Sequence, residues 1–177
     1  MRMNEGVEWA VHACTVLAPF WPRHGLSLAA LAELHGVPAP YMAKQMQRLS
    51  AAGLVRTSRG RTGGYALSRA PSEISLWQIA RAVDGVTPMF RCTEIRQRGP
   101  CGTPRENCTR PCGIASSFAA AEAAYRKALE EVSVADMLEQ AMANAGSRDA
   151  TAVAEWFKSK VTEVPGCLLY TSDAADE

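Results

Sequence analysis

The sequence predicts a mainly α-helical fold: a winged helix-turn-helix with a β-hairpin wing, followed by a long C-terminal helix. Two short amphipathic helices joined at Gly36 are followed at once by a hairpin pattern, which indicates the winged part. An alanine-rich run after Cys112 favours the long helix. The 177 residues, of which 47% are apolar, are enough for one domain with an extension.

A first helix is predicted over about residues 4–18, where apolar side chains recur at helical spacing until "PFWPRHG" breaks the pattern. Ser27 is a suitable N-cap for the next helix, "LAALAELH", which ends at Gly36. The third helix lies within "VPAPYMAKQMQRLSAAG", where prolines mark its start and Gly53 its end.

The wing follows directly, because two short β-type runs flank the glycines of "RGRTGG", which allow a hairpin tip. The strand residues are Leu54, Val55 and Thr57, then Tyr65, Ala66 and Leu67. A further amphipathic helix, "EISLWQIARAVDG", ends at Gly85. One side of the long helix is predicted to carry a row of alanine, aromatic and leucine side chains that suits a partner helix. Ser133 is a suitable N-cap for a second short helix.

The charge pattern points to nucleic acid, although the net charge is only +1. Residues 41–72 contain no Asp or Glu, and their basic residues are Lys44, Arg48, Arg56, Arg59, Arg61 and Arg69. A basic winged module of this kind predicts binding to double-stranded promoter DNA. The alternative is that these helices are common architecture and that the basic residues simply face solvent.

Candidate DNA contacts are placed on the third helix and at the tip of the wing. On the helix, the exposed side is expected to carry Tyr41, Lys44, Gln45 and Arg48. Gln45 is the candidate base reader, because an amide can pair with adenine, whereas the two cations suit phosphates. Arg59 and Arg61 are expected to reach a minor groove or its phosphates from the wing tip.

Four cysteines, Cys92, Cys101, Cys108 and Cys112, lie in a glycine- and proline-containing loop with the spacing C-x8-C-x6-C-x3-C. This spacing matches neither a zinc ribbon nor a ferredoxin-type run. A loop can nevertheless turn several thiolates inward, and the start of a helix favours a thiolate at Cys112. Metal ligands are therefore one interpretation, and redox-labile or merely tolerated thiols are the other.

Glu8 and His12 lie one helical turn apart, so both side chains share a face that can bind a metal. At this spacing, however, a Glu–His pair on a helix surface more often binds no metal. His35 is expected to act at a helix C-terminus, Trp9 to pack in the core and Cys14 to be a small buried residue.

The chain lacks the pattern of a signal peptide and any apolar run approaching the ~18 residues of a membrane span, so a cytoplasmic protein without membrane contact is expected. No P-loop, dinucleotide-binding fingerprint or G-x-S-x-G motif is present, so an enzyme is not expected. A zinc protein remains an alternative.

The stretch "LAALAELHGVPAPYMAKQMQRLSAAGLVRTSRGRTGGYALSR", followed by "EISLWQIARAVDG" and a cysteine loop before a long helix, resembles the Rrf-type winged-helix regulators. The resemblance covers roughly residues 1–138. The family includes the iron–sulfur regulators IscR, NsrR and RsrR. "GVEWAVH" and "CTEIRQRGP…CTRPC" are most similar to the RsrR branch. It implies a homodimeric transcription regulator, acting as a repressor, whose long helix pairs with that of its mate.

The resemblance also implies a 2Fe–2S cluster with ligands shared across the dimer. Glu8 and a histidine come from one subunit, with His12 preferred and His35 as its rival. Two cysteines come from the other, with Cys108 and Cys112 preferred and Cys92 and Cys101 as alternatives. Trp9 is the side chain expected to move with the state of the cluster.

Together these inferences divide the chain into four parts. A winged helix-turn-helix unit is expected over residues 1–88, a cluster-binding loop over 89–112, dimerisation helices over 113–145 and a flexible, partly non-native tail over 146–177. The expected function is a redox-sensing transcription regulator in which the cluster state switches promoter binding. A cluster-free thiol–disulfide switch is the alternative.

Overall fold

The fold is taken from a computed structural model that describes residues 4–58, 63–85, 87–144 and 150–164. Within these ranges the helices are α1 (Glu5–Leu17), α2 (Leu28–His35), α3 (Ala39–Ala51), α4 (Leu76–Asp84), α5 (Gly113–Glu130), α6 (Val134–Ala143) and α7 (Ala150–Lys160). The strands are β1 (His24–Leu26), β2 (Val55–Thr57), β3 (Tyr65–Leu67) and β4 (Val161–Glu163). The predicted mainly α-helical winged fold is confirmed.

Local sequence signals set the ends of several helices. The Asn4 side chain accepts a hydrogen bond from the Gly6 N–H at 2.8 Å and begins α1. The Ser27 hydroxyl accepts from the Ala30 N–H at 3.1 Å and begins α2. Gly36 ends α2 with a φ of 61°, a left-handed conformation that glycine adopts without steric cost.

The sheet is antiparallel with the strand order β2-β3-β1-β4. The wing pair β2 and β3 was predicted, but β1 and β4 were not. Gly25 explains how β1 approaches β3: a Cβ at this position would lie 1.9 Å from the carbonyl oxygen of Tyr65. The close pairing therefore requires glycine at this position.

The hydrophobic core lies between α1, α2, α3, α4 and the sheet. The largest fully buried side chains include Leu17, Leu26, Leu31, Met42, Met46, Leu49 and Ile79. In contrast, α5 buries none of its residues within the chain. Val134 of α6 is buried in the same core, whereas α5 has free surface for a partner.

The predicted flexible tail over 146–177 is wrong for residues 150–164. The Trp156 indole N–H donates to Glu33 Oε1 at 3.2 Å, and Lys160 Nζ lies 2.8 Å from the other oxygen of that carboxylate. β4 pairs with β1 along its whole length, and Val164 is fully buried. The segment is held by residues far away in sequence, which local patterns cannot reveal. Residues 165–177 lie outside the described residues.

Replacing Ser133 by alanine is expected to destabilise the protein by about 0.5–2 kcal/mol, the usual effect of losing an N-cap. The Ser133 hydroxyl accepts from the Asp136 N–H at 3.2 Å, while the Asp136 carboxylate accepts from the Ser133 N–H at 2.7 Å. Urea unfolding measures the change. Ser116→Ala on the exposed surface of α5 is the control, and an equal effect of both substitutions would contradict a role for the cap.

Candidate functional site

The exposed face of α3 carries most of the predicted DNA contacts. Tyr41 is 57% exposed near the start of the helix, Lys44 is exposed and Arg48 is half-buried. This face follows the turn after α2, the position from which a recognition helix enters a major groove. Arg59 and Arg61 fall outside the described residues, so their predicted role at the wing tip stays a prediction.

The predicted placement of Gln45 on the exposed side of α3 is wrong, because its side chain is buried. Its amide lies against α1, where a Cβ at Gly6 would come within 2.7 Å of it. Arg48 Nη1 donates to Gln45 Oε1 at 3.3 Å. The buried Met42, Met46 and Leu49 give the signal that was missed, because position 45 shares their helical face.

Gln47 is an exposed amide of α3 that was not among the predicted DNA contacts. It lies opposite the buried face of the helix, and an amide can pair bidentately with adenine. Arg56 also differs from its expected place in the basic surface. Its guanidinium donates to the carbonyl oxygens of Pro22, Leu67 and Val164, and its burial lowers its pKa.

Glu8, Trp9 and His12 of α1 line a small cavity of about 180 Å³ together with His35 and Val37. The two histidine rings are tilted against each other with their centroids 5.6 Å apart. Both histidines proposed as rival ligands therefore lie beside Glu8 in one cavity, which the sequence could not show.

His35 is the more enclosed of the two histidines. Its Nε2 atom is buried and has no hydrogen-bond partner within the described chain. Burial, and secondly the charge of His12, lower the pKa of His35 and favour the neutral ring, the form that binds metals. The position of His35 in the sequence suggested a capping role at this helix end, and the family resemblance made it the rival ligand of His12.

Trp9 connects this cavity to α3, the helix predicted to contact DNA. Its ring makes an edge contact with Tyr41, with ring centroids 6.0 Å apart. About one turn before Trp9, Gly6 of α1 lies against the side chain of Gln45 in α3, so the two helices are in close contact there. Trp9 is thus half-buried between the histidine cavity and the start of α3, where it packs against the edge of the core.

The loop over residues 89–112, called here the cysteine loop, brings the thiols of Cys92 and Cys112 together at the start of α5. Cys92, Cys108 and Cys112 are half-buried, whereas Cys101 is exposed. Cys112 is the N-cap of α5, where the N–H groups of Ala115 and Ile114 lower the pKa of its thiol, with smaller contributions from Cys92 and Arg96. The predicted thiolate character at this helix start has a physical basis in these contacts.

Cys14 behaves as the sequence predicted. It is completely buried in the core, and burial raises the pKa of its thiol to about 12. A thiol in this state is neither a nucleophile nor a metal ligand. In the part of the chain that the structure describes, no group of three or more His, Cys, Asp or Glu side chains is arranged to hold a metal ion.

The comparison with protein families agrees with this geometry. Residues 3–140 match the profile of Rrf2, which is described as an iron-dependent transcriptional regulator. The chain belongs to the Rrf2 family. This match spans the winged unit, the cysteine loop, α5 and most of α6 and ends before α7. This Rrf2 protein is accordingly a helix-turn-helix transcriptional regulator, the role for which its relatives are named.

A relative from Mycobacterium tuberculosis (strain CDC 1551 / Oshkosh), named as an HTH-type transcriptional regulator, is 32% identical over 137 residues. The alignment covers 77% of this Rrf2 chain and 81% of the relative. Two solved structures share the fold. CymR, the global cysteine regulator of B. subtilis, has a TM-score of 0.61 at 19% identity, with 79% and 98% of the chains covered. IscR of T. potens has a TM-score of 0.59 at 24% identity, with 86% and 96% covered.

Among the described residues of this Rrf2 chain, no helix is both long enough and apolar enough to cross a bilayer.

Proposed function

We propose that this Rrf2 protein is a homodimeric repressor that binds promoter DNA and whose affinity is set by a 2Fe–2S cluster, as in the RsrR branch. The observation that carries the proposal is the presence of two incomplete donor sets in different parts of the chain. One set consists of the cysteine thiols of the loop. The other consists of Glu8, His12 and His35, which line one cavity.

The donor atoms suit an iron–sulfur centre in kind. Thiolates are the usual ligands of such clusters, and histidine can replace them. Cys108 and Cys112 would bind from one subunit, and Cys92 is the alternative to either. Glu8 and a histidine of the partner subunit would complete the set, and the unpartnered Nε2 of His35 supports a role for that ring beside the preferred His12. A bound cluster would supply one-electron oxidation and reduction.

Sharing across a dimer is compatible with the described residues of one chain, which supply donor groups in two separate places. No group of three or more metal-binding side chains is found in the described residues. α5 buries none of its residues, and Ile114 and Phe118 are 59% and 50% exposed near the end that carries Cys112. Pairing of this helix with its mate would place each cysteine loop beside the other subunit.

The chain's own contacts offer a path from the cavity to DNA. A change in position of Glu8 moves Trp9, which touches Tyr41 at the start of α3. In a dimer the two recognition helices must match half-sites about 34 Å apart, so a small displacement changes the affinity. A coupling of about 1–3 kcal/mol is enough for a 5–150-fold change.

Lys44→Ala is expected to weaken binding to all DNA sequences and to reduce the slope of log affinity against log salt by about 0.9, as for one lost phosphate contact. Gln47→Ala is expected to cost about 1–3 kcal/mol at one base position while leaving the salt slope unchanged. Fluorescence anisotropy at several salt concentrations measures both. Lys158→Ala, on the exposed side of α7, is the charge-matched control, and a salt slope changed equally by it would refute a phosphate contact of Lys44.

The proposed function is tested on protein purified without oxygen. We expect iron and sulfide in equal amounts, visible absorbance, an EPR signal after reduction by one electron, and promoter binding that differs between redox states. Glu8→Ala and either His12→Ala or His35→Ala should change the spectrum. Protein without iron or sulfide would refute the cluster, and a colourless protein with about one zinc per chain would identify a zinc site instead.

A cluster-free thiol switch is the second candidate. It is favoured by the lowered pKa of Cys112 and by the nearness of Cys92 to it. The shared fold with CymR, a global cysteine regulator, is compatible with it. In that case iron-free protein would form a disulfide between loop cysteines on oxidation, and this disulfide alone would change DNA binding.

A further inference from the structure

Arg96 joins the two halves of the cysteine loop. Its Nε donates to Glu94 Oε2 at 2.7 Å on its own side, and its Nη2 donates to the carbonyl oxygen of Arg110 at 2.8 Å on the other side. The Arg96 carbonyl oxygen in turn accepts from the Thr103 N–H at 2.8 Å. One residue therefore connects residues 92–98 to residues 103–112 through both its side chain and its backbone.

Glu94 extends this network to a thiol. Its N–H donates to Cys92 Sγ at 3.5 Å, and the thiol lies 3.7 Å from Glu94 Oε1. Glu94 has a φ of 51°, a left-handed conformation that is unfavourable for a residue with a side chain. The ion pair with Arg96 offsets that cost and holds the turn beside Cys92.

The far end of the network lies at the preferred cluster ligands. Arg110 is two residues before Cys112, and the Arg96 guanidinium is close enough to Cys108 and Cys112 to interact with both electrostatically. The loop has no buried residue among those described, so a buried core does not hold its halves together. Charge-assisted hydrogen bonds are the contacts that can limit its conformational freedom.

We propose that Arg96 is a positioning residue that joins the two halves of the cysteine loop and so holds Cys92 beside Cys112, with Cys108 in the same half as Cys112, before any metal binds. This inference rests on the proposed function of the loop as half of a cluster site. The guanidinium is suited to the task because it is planar and can donate in two directions at once, to Glu94 and to Arg110. A lysine would keep the charge but not the bridge.

The test compares Arg96→Ala, Arg96→Lys and Arg98→Ala in the full chain. Arg98 is the matched control, since its Nη2 donates at 3.0 Å to the carbonyl oxygen of Thr93, within its own half of the loop. Hydrogen exchange of metal-free protein is followed at Thr103, whose N–H donates to Arg96. Iron content and midpoint potential are then measured after anaerobic reconstitution.

Both Arg96 variants are expected to exchange the Thr103 amide about tenfold faster than wild type, the factor produced by losing one interaction of ordinary strength. They are also expected to bind less iron, whereas Arg98→Ala behaves as wild type. Unchanged exchange in Arg96→Ala overturns the inference, as does an equal effect of Arg98→Ala or wild-type behaviour of Arg96→Lys. If wild type binds no iron while the exchange results hold, the cluster is refuted and the role of Arg96 in assembling the thiols stands.

Discussion

Cys112→Ala is expected to lower the iron bound after anaerobic reconstitution by more than about tenfold, because changes outside the ligand shell alone often cost 10–100-fold in metal affinity. Cys112 combines the features expected of a ligand in this loop. It begins α5, its thiol pKa is lowered by the N–H groups of Ala115 and Ile114, and it is half-buried beside Arg96. Visible absorbance and iron analysis measure the loss.

Cys101→Ala is the matched control for this experiment. Cys101 belongs to the same loop, but its side chain is exposed. The variant is expected to keep its iron and its spectrum. Equal iron losses from both substitutions would show that the arrangement of the three half-buried thiols does not determine the ligands. Full iron binding by Cys112→Ala would remove Cys112 from the ligand set.

Leu49→Ala is expected to reduce the free energy of unfolding by about 2–5 kcal/mol, the usual range for removing a leucine side chain from a packed core. Leu49 is fully buried on the inner face of α3. Its carbonyl oxygen accepts from the Leu54 N–H at 2.9 Å, just before the wing begins. The cavity would therefore form where the recognition helix meets the wing, and DNA affinity should fall at temperatures close to the unfolding midpoint.

Leu34→Ala provides the comparison, because Leu34 is 37% exposed on α2. It is expected to lose less than half as much stability as Leu49→Ala, since less apolar surface is removed from a packed environment. Urea unfolding gives both values from the same protocol. A loss below about 1 kcal/mol for Leu49→Ala would mean that α3 is not held by this core.

The helices of the winged unit and α6 could be predicted because their signals are local. Ser27, Ser75 and Ser133 each accept a hydrogen bond from a backbone N–H close ahead in the chain, so the sequence around them is enough to predict a helix start. The buried side chains of α3 repeat at helical spacing in the same way. These elements agree with the structure for that reason.

Elements held by distant contacts could not be predicted. β1 pairs with both β3 and β4, and its short run "HGL" carries no strand signal by itself. The contacts of α7 with Glu33 and Phe20 join residues more than one hundred positions apart. Because these contacts cannot be recognised from nearby residues, the segment that contains α7 was predicted to be a flexible tail.

The same distinction between local signals and distant contacts applies to the site residues. The available chemistry could be read from residue spacing, since the thiols cluster in one loop and Glu8 and His12 share one helical face. Only the tertiary structure brought His35 beside His12, turned Gln45 against Gly6 and placed Trp9 on Tyr41. Helical periodicity defines the face on which a side chain lies, but the packing of one helix on another decides what that face meets.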